Sequence, residues 1–161
     1  PLAVSLKFPD YTLANMYYYF GNQYFLIGEM DRAAYFVNQS LKYKKNINAI
    51  YLKTKLMYQT KQHQQGVTYL RGNIKEVEMN NDGLRLLFDG LYQSGDLQAA
   101  EKIGDNLSKT DKIDIEFLNQ MGFIALKHGK KPKAIHYFSR SLKIDKKQKF
   151  IEGKLNELKK K

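Results

Sequence analysis

Apolar residues recur along this chain at the spacing of a helix rather than a strand. Phe20, Tyr24 and Ile27 fall on one stripe, and Ala33, Phe36, Val37 and Leu41 on the next, with polar positions between. Stretches of about 12 to 14 residues with this period follow one another in pairs. Gly28, Gly95 and Gly129 stand between pair members, where a helix ending in a left-handed residue turns back on its neighbour. Asp31, Asn48, Asp82, Asp96 and Asp114 precede apolar stretches and are placed to cap helices. Pro132 fits a first helical turn, whose N–H groups have no intrahelical partner to lose. At the start of the chain Leu2, Val4, Leu6 and Phe8 alternate before Pro9-Asp10, which suits a strand, the tail of a helix or an ordered arm.

The helix pairs repeat. Each of the three glycines precedes an alanine by five residues (Ala33, Ala100, Ala134); Gly95 and Gly129 are 34 apart, and Gly28 and Gly95 are 67 apart, which is two periods. A second marker keeps the same register. Tyr17-x2-Phe20-Gly21-x2-Tyr24 lies upstream of Gly28 and Leu118-x2-Met121-Gly122-x2-Ala125 upstream of Gly129, and both Gly21 to Ala33 and Gly122 to Ala134 span twelve residues. Gly21, Gly122 and the three alanines are small enough to let paired helices approach closely, and Ser40 and Ser141 also fall where a small packing residue is wanted.

With this spacing the chain resembles the tetratricopeptide repeat, whose pattern runs W-x2-L-G-x2-Y, then Ala, then an aromatic, then Pro. The resemblance covers residues 14–148 as four units, 14–47, 48–80, 81–114 and 115–148, followed by a capping segment, 149–161, in which Ile151, Leu155 and Leu158 form one apolar stripe. The first and fourth units are good copies. The third keeps Leu84, Leu87, Leu91, Gly95 and Ala99-Ala100 but has Phe88 at the place of the helix-contact glycine. The second is assigned mainly on spacing, with Gln62 at the turn and Val67 in place of the alanine, and the terminal Pro is replaced by Lys45 and Lys146 in the good copies. The resemblance implies an all-α, right-handed superhelix, an α-solenoid of about four helix pairs in a single domain with a C-terminal cap.

Composition adds an asymmetry. Residues 1–126 hold 14 basic and 13 acidic side chains, whereas residues 127–161 hold 13 basic and 3 acidic, so the last fifth carries nearly the whole net charge of +11. Ten of the twelve tyrosines lie between Tyr11 and Tyr69, which makes the early part aromatic and the end cationic. The absence of Cys removes thiolate catalysis, zinc ribbons and disulfide frameworks. No apolar run approaches the ~18 to 20 residues that span a bilayer. Pro1-Leu2-Ala3-Val4 lacks both an initiator Met and the layout of a signal peptide, so the chain reads as an excised piece of a longer protein, of the cytoplasm or the cell envelope.

No pattern for chemistry emerges. His63, His128 and His136 form no metal-binding pair, the six residues between Gly122 and Gly129-Lys130 are not those of a phosphate loop, and Glu76, Glu78, Asp111 and Asp114 sit at helix ends or in polar connections. The expectation is binding without catalysis, metal or cofactor. In tetratricopeptide arrays the first helix of each unit lines a groove for a peptide or a partner helix. Carried over, that gives Tyr18, Asn22 and Phe25, then Leu52, Leu56 and Gln59, then Arg85, Asp89 and Tyr92, then Asn119, Phe123 and Leu126. Tyr17 and Phe20 match packing positions, leaving Tyr18 accessible. One subgroup of the family clamps the C-terminal carboxylate of heat-shock chaperones with a Lys and an Asn one turn apart; here Tyr18 holds the place of that Lys.

The function expected is therefore a protein-interaction scaffold whose groove takes an apolar or aromatic segment. Two other readings stand beside it. The cationic end, with Lys127, Lys130, Lys131, Lys133, Lys143, Lys146 and Lys147, suits nucleic acid or an anionic membrane surface, and small tetratricopeptide domains also serve as bacterial secretion chaperones.

Overall fold

In the computed structural model, which describes residues 9–110 and 113–160, helix boundaries follow local chemistry closely. Nine α-helices are present among those residues: α1 (Asp10–Leu26), α2 (Met30–Tyr43), α3 (Ile47–Gln59), α4 (His63–Asn73), α5 (Asn81–Ser94), α6 (Leu97–Leu107), α7 (Ile115–Lys127), α8 (Lys131–Ile144) and α9 (Lys149–Lys159), with a short 3₁₀ turn at Glu76–Glu78. The alternation of Leu2, Val4, Leu6 and Phe8 lies outside the described residues. Asp96 accepts from the Ala99 N–H and Asp114 from that of Phe117. Two caps differ from expectation: Asn46, not Asn48, accepts at the start of α3, and Asn80, not Asp82, accepts from the Gly83 N–H at the start of α5. Asp31 lies within the first turn of α2, where it meets the positive end of the helix dipole without capping it.

The helix turns share one construction. Gly28, Gly95 and Gly129 take φ of 83°, 86° and 69°, and Lys61 takes 60°. At Gly28 and Gly129 the next N–H reaches back to close the helix, Glu29 to the Tyr24 carbonyl at 2.9 Å and Lys130 to that of Ala125 at 2.8 Å, and Gln62 bonds to Met57 in the same way at 2.9 Å. The turn of the second repeat is therefore made by Lys61 rather than Gln62, and its register shifts by one residue. With that shift Gly66, not Val67, takes the place of Ala33, and Thr54 takes the place of Gly21. Lys61 bears the cost of a left-handed backbone with a Cβ, and Lys61→Gly is expected to stabilise the protein by roughly 0.5–1 kcal/mol. The check is a rise in the urea midpoint at unchanged slope.

The chain forms two compact units, Pro1–Gly90 and Leu91–Lys161, with the boundary inside α5. In the first, α1 packs on α2, α2 on α3 and α3 on α4. Ala33, Val37, Ala49, Leu52 and Leu56 form its buried cluster, flanked by the half-buried Tyr18, Tyr24, Phe25 and Leu41. A Cβ on Gly21 would lie 2.9 Å from Val37 Cγ2, so the α1–α2 approach requires glycine there. Buried Ser40 donates to the Ala14 carbonyl at 2.7 Å. In the second repeat the large residue is on the first helix: the Tyr58 ring fills the space left by Gly66 and Gly90, and its hydroxyl donates to the Leu86 carbonyl at 3.1 Å. Burial, with Asp89 nearby, pushes that hydroxyl's pKa up.

Aromatic rings cover the other side of α1 and α2. Tyr17 stacks on Tyr43 and Tyr24 on Phe36, with centroids 5.5 and 5.3 Å apart. Phe20, expected to pack inside, is 44% exposed at the edge of this cluster, where its ring lies against those of Phe36 and Tyr19.

In the second unit α7 packs on α8 and α8 on α9. Ala125, Ala134, Phe138, Ile151 and Leu155 form its core, and the apolar stripe of α9 is laid against it. Phe138 is fully buried, 5.1 Å from Phe123 in an edge-to-face pair, and its ring occupies the place a Cβ on Gly122 would take. Ser141 is buried and exchanges hydrogen bonds with Gln148.

Candidate functional site

Three helices of the first unit enclose an open hollow of about 330 Å³. From α1 come Tyr18 and Asn22; from α3, Asn48, Tyr51, Leu52 and Lys55; from α5, Asp82, Arg85, Leu86 and Asp89. On α3 and α5 these residues are spaced i, i+3, i+4 and i+7, the set that shares one face of a helix. Tyr51 and Leu52 are almost fully buried and make the floor with Leu86. The Tyr51 hydroxyl fills the place a side chain on Gly83 would need, and burial raises its pKa. Arg85 Nε donates to Asp89 Oδ1 at 3.0 Å. Among the described residues, the side chains of Tyr18, Asn22, Asn48 and Lys55 have no hydrogen-bonding or ionic partner. The hollow thus combines an apolar floor with charges of both signs and polar groups still free to bond.

Of the groove positions expected from sequence, Tyr18, Asn22, Leu52, Arg85 and Asp89 come together here. Leu56 does not. It is 8% exposed, belongs to the core cluster, and borders a different hollow of about 180 Å³ with Val37, Lys53 and Met57, because each step of four turns the helix face a further 40°. Lys55, three residues after Leu52, takes the inner position instead. Phe25 is half-buried against the core, and Gln59 is exposed at the end of α3. Asn48, Tyr51, Lys55, Asp82 and Leu86 were missed; stepping three and seven residues on from Asn48 and Asp82 along one helix face would have found most of them.

In the second unit Tyr92 is half-buried, and burial, with Glu116 nearby, raises its pKa. Asn119 Nδ2 donates to Gln148 Oε1 at 2.7 Å. Phe123 and Leu126 border a separate hollow of about 310 Å³ with Lys127, Lys154, Glu157 and Leu158.

No family model matches the sequence, and no curated protein matches it. Solved structures do match. MamA from AMB-1 superposes with a TM-score of 0.79 at 13% identity, over 91% of this chain and 87% of the other. YrrB, described as a TPR protein with an unusual peptide-binding site, gives 0.71 at 16% identity over 87% and 73%, and PilF of Pseudomonas aeruginosa gives 0.71 at 17% over 91% and 68%. The fold is the tetratricopeptide solenoid. In tetratricopeptide terms α1, α3 and α5 are the first helices of successive repeats, so the 330 Å³ hollow lies on the face they share.

The lysines of the cationic end are not equivalent. Glu101, 7% exposed on α6, accepts from Lys130 at 2.8 Å, from Lys133 at 2.6 Å and from the His128 imidazole at 2.7 Å, and Lys133 also meets Asp105 at 2.8 Å. Burial opposes ionisation of Glu101, but these three donors outweigh it and hold its carboxyl down at about 2. Lys130 and Lys133 are therefore engaged internally. Lys127, Lys131, Lys143, Lys146 and Lys147 are exposed. Among the described residues no group of His, Asp and Glu is arranged to hold a metal ion, and no helix is long and apolar enough to cross a membrane.

Proposed function

We propose that this protein is an interaction scaffold that holds a segment of another protein in the hollow between α1, α3 and α5. One observation carries the reading: Tyr18, Asn22, Asn48 and Lys55 surround an apolar floor with their polar groups unpartnered among the described residues. Such a site gains energy from burying an apolar side chain while its rim bonds the backbone of the guest. The likeness to YrrB, whose description names a peptide-binding site, supports the same class of guest. Asp82, Arg85 and Asp89 on one wall favour a guest with polar groups beside its apolar anchor.

The test is retention of partners from the native source on immobilised protein, wild type against the combined Tyr18→Ala, Asn22→Ala and Lys55→Glu variant. Retention is expected to fall at least about tenfold, since truncating even one central contact commonly costs more than about 1 kcal/mol. Lys55 is exposed and Asn22 partly so, whereas Tyr18 is half-buried against the core cluster, so the Asn22→Ala, Lys55→Glu pair without Tyr18→Ala is the variant expected to keep the melting temperature. Equal retention by a variant that melts like the wild type would remove the reading.

A further inference from the structure

We infer that the second unit carries an interaction surface of its own, in which the hollow between α7 and α9 receives an acidic segment of another protein through bulky apolar side chains. This goes beyond the α1–α3–α5 hollow and does not depend on it. The floor is made by Phe123, Leu126 and Leu158, all half-buried and backed by the core of the unit. At about 310 Å³ it is of the size that holds ligand groups. Beside it Phe150 stays 66% exposed, its ring centroid 6.1 Å from that of Phe123. A helix that only sealed the end of a solenoid would present a polar outer side there.

Charge selects the occupant. Lys127 and Lys154 border the hollow; Lys154 is shared between Glu157, at 2.9 Å, and the Phe150 ring, while Lys127 has no ionic partner among the described residues. Residues 127–161 hold 13 basic side chains against 3 acidic, and among the described residues Lys130 and Lys133 are paired with Glu101 and Asp105 and Lys154 with Glu157, which leaves most of the positive charge unpaired. A guest with carboxylates flanking its apolar anchors therefore meets a favourable field on approach and an apolar floor on docking. Nucleic acid fits less well: the floor is mainly a recess for side chains, and Lys154 lies over the exposed Phe150 ring, where a base would stack. A membrane surface fits less well because α9 turns Ile151 and Leu155 into the core rather than outward.

The probe is a fluorescein-labelled synthetic peptide of about 15 residues, rich in Asp and Glu, with leucines at i and i+4, titrated by anisotropy. Binding is expected, weakening as salt rises, and weakening at least tenfold for Lys127→Glu, for Lys154→Glu, for Phe150→Ala, and for a peptide whose leucines are replaced by serine. Lys42→Glu, at an exposed position on α2, should leave it unchanged. The proposal is overturned by absence of binding, by a serine peptide that binds equally, or by Lys127→Glu and Lys154→Glu proteins that melt like the wild type and bind like it. It is equally overturned if single-stranded RNA or phosphatidylserine vesicles bind in a Lys127-dependent way while the peptide does not.

Discussion

Gly122→Val is expected to destabilise the protein by about 3 kcal/mol, seen as a fall in melting temperature of roughly 5–10 °C. The valine Cβ would enter the ring of Phe138, which is fully buried and held edge-to-face against Phe123, so the ring has no free space to turn into. Either α7 and α8 separate or Phe138 leaves its rotamer, and both outcomes loosen the core that also supports α9. The sign is informative. In a helix, glycine is about 1 kcal/mol worse than alanine, so a glycine with open space around it is improved by substitution. Gly153 on α9 has nothing within 4 Å of its ideal Cβ, and Gly153→Ala should stabilise where Gly122→Val destabilises. Shrinking the opposing ring tests the cause: in a Gly122→Val, Phe138→Leu double variant the loss should be smaller than the sum of the two single losses.

Glu101→Gln is expected to cost about 2 kcal/mol at neutral pH, read from the urea midpoint. Removing one partner of a buried ion pair commonly costs roughly 3–5 kcal/mol; the value here is lower because Lys130 is half exposed and Lys133 keeps Asp105. The same carboxylate sets an acid limit. Its pKa is about 2 in the folded protein against an ordinary 4.5, so the unfolded chain binds its proton first as the solution is acidified. The stability it contributes is complete above pH 4.5 and is lost as pH falls from there toward 2. Glu101→Gln should flatten the wild-type decline in midpoint across that window; an undiminished decline would place the acid sensitivity in other carboxylates.

The turn glycines and the close-approach glycines were legible because each leaves a residue that nothing else replaces cheaply: a positive φ at Gly28, Gly95 and Gly129, and a missing side chain at Gly21 and Gly122. The second repeat was hard to read for the same reason. Lys61 adopts the left-handed backbone without the residue type that signals it, and the repeat is one position shorter, so a spacing of 34 passes over Gly66 and sets Lys55 rather than Thr54 at the place of Gly21. Phe88, which breaks the glycine pattern, is nonetheless fully buried, so bulk is accommodated there rather than excluded. Asn48 and Asp82 stand where caps are expected, a role that Asn46 and Asn80 perform two residues earlier, and with Tyr51, Lys55 and Leu86 they make up the half of the hollow's lining that lies outside the groove places of the repeat pattern. Nor did sequence distance suggest that Glu101 would neutralise lysines some thirty residues later, a pairing made by the packing of α6 near α7 and α8.

The concentration of phenol rings on the early helices has a spectroscopic consequence. The chain has no Trp, and only Tyr92 and Tyr137 belong to the later unit, so near-ultraviolet dichroism and intrinsic emission come chiefly from the ten tyrosines of the first unit. Far-ultraviolet dichroism, in contrast, samples every helix. Overlaying the two melting curves separates a cooperative all-or-none transition from stepwise unravelling, with no label or engineered chromophore.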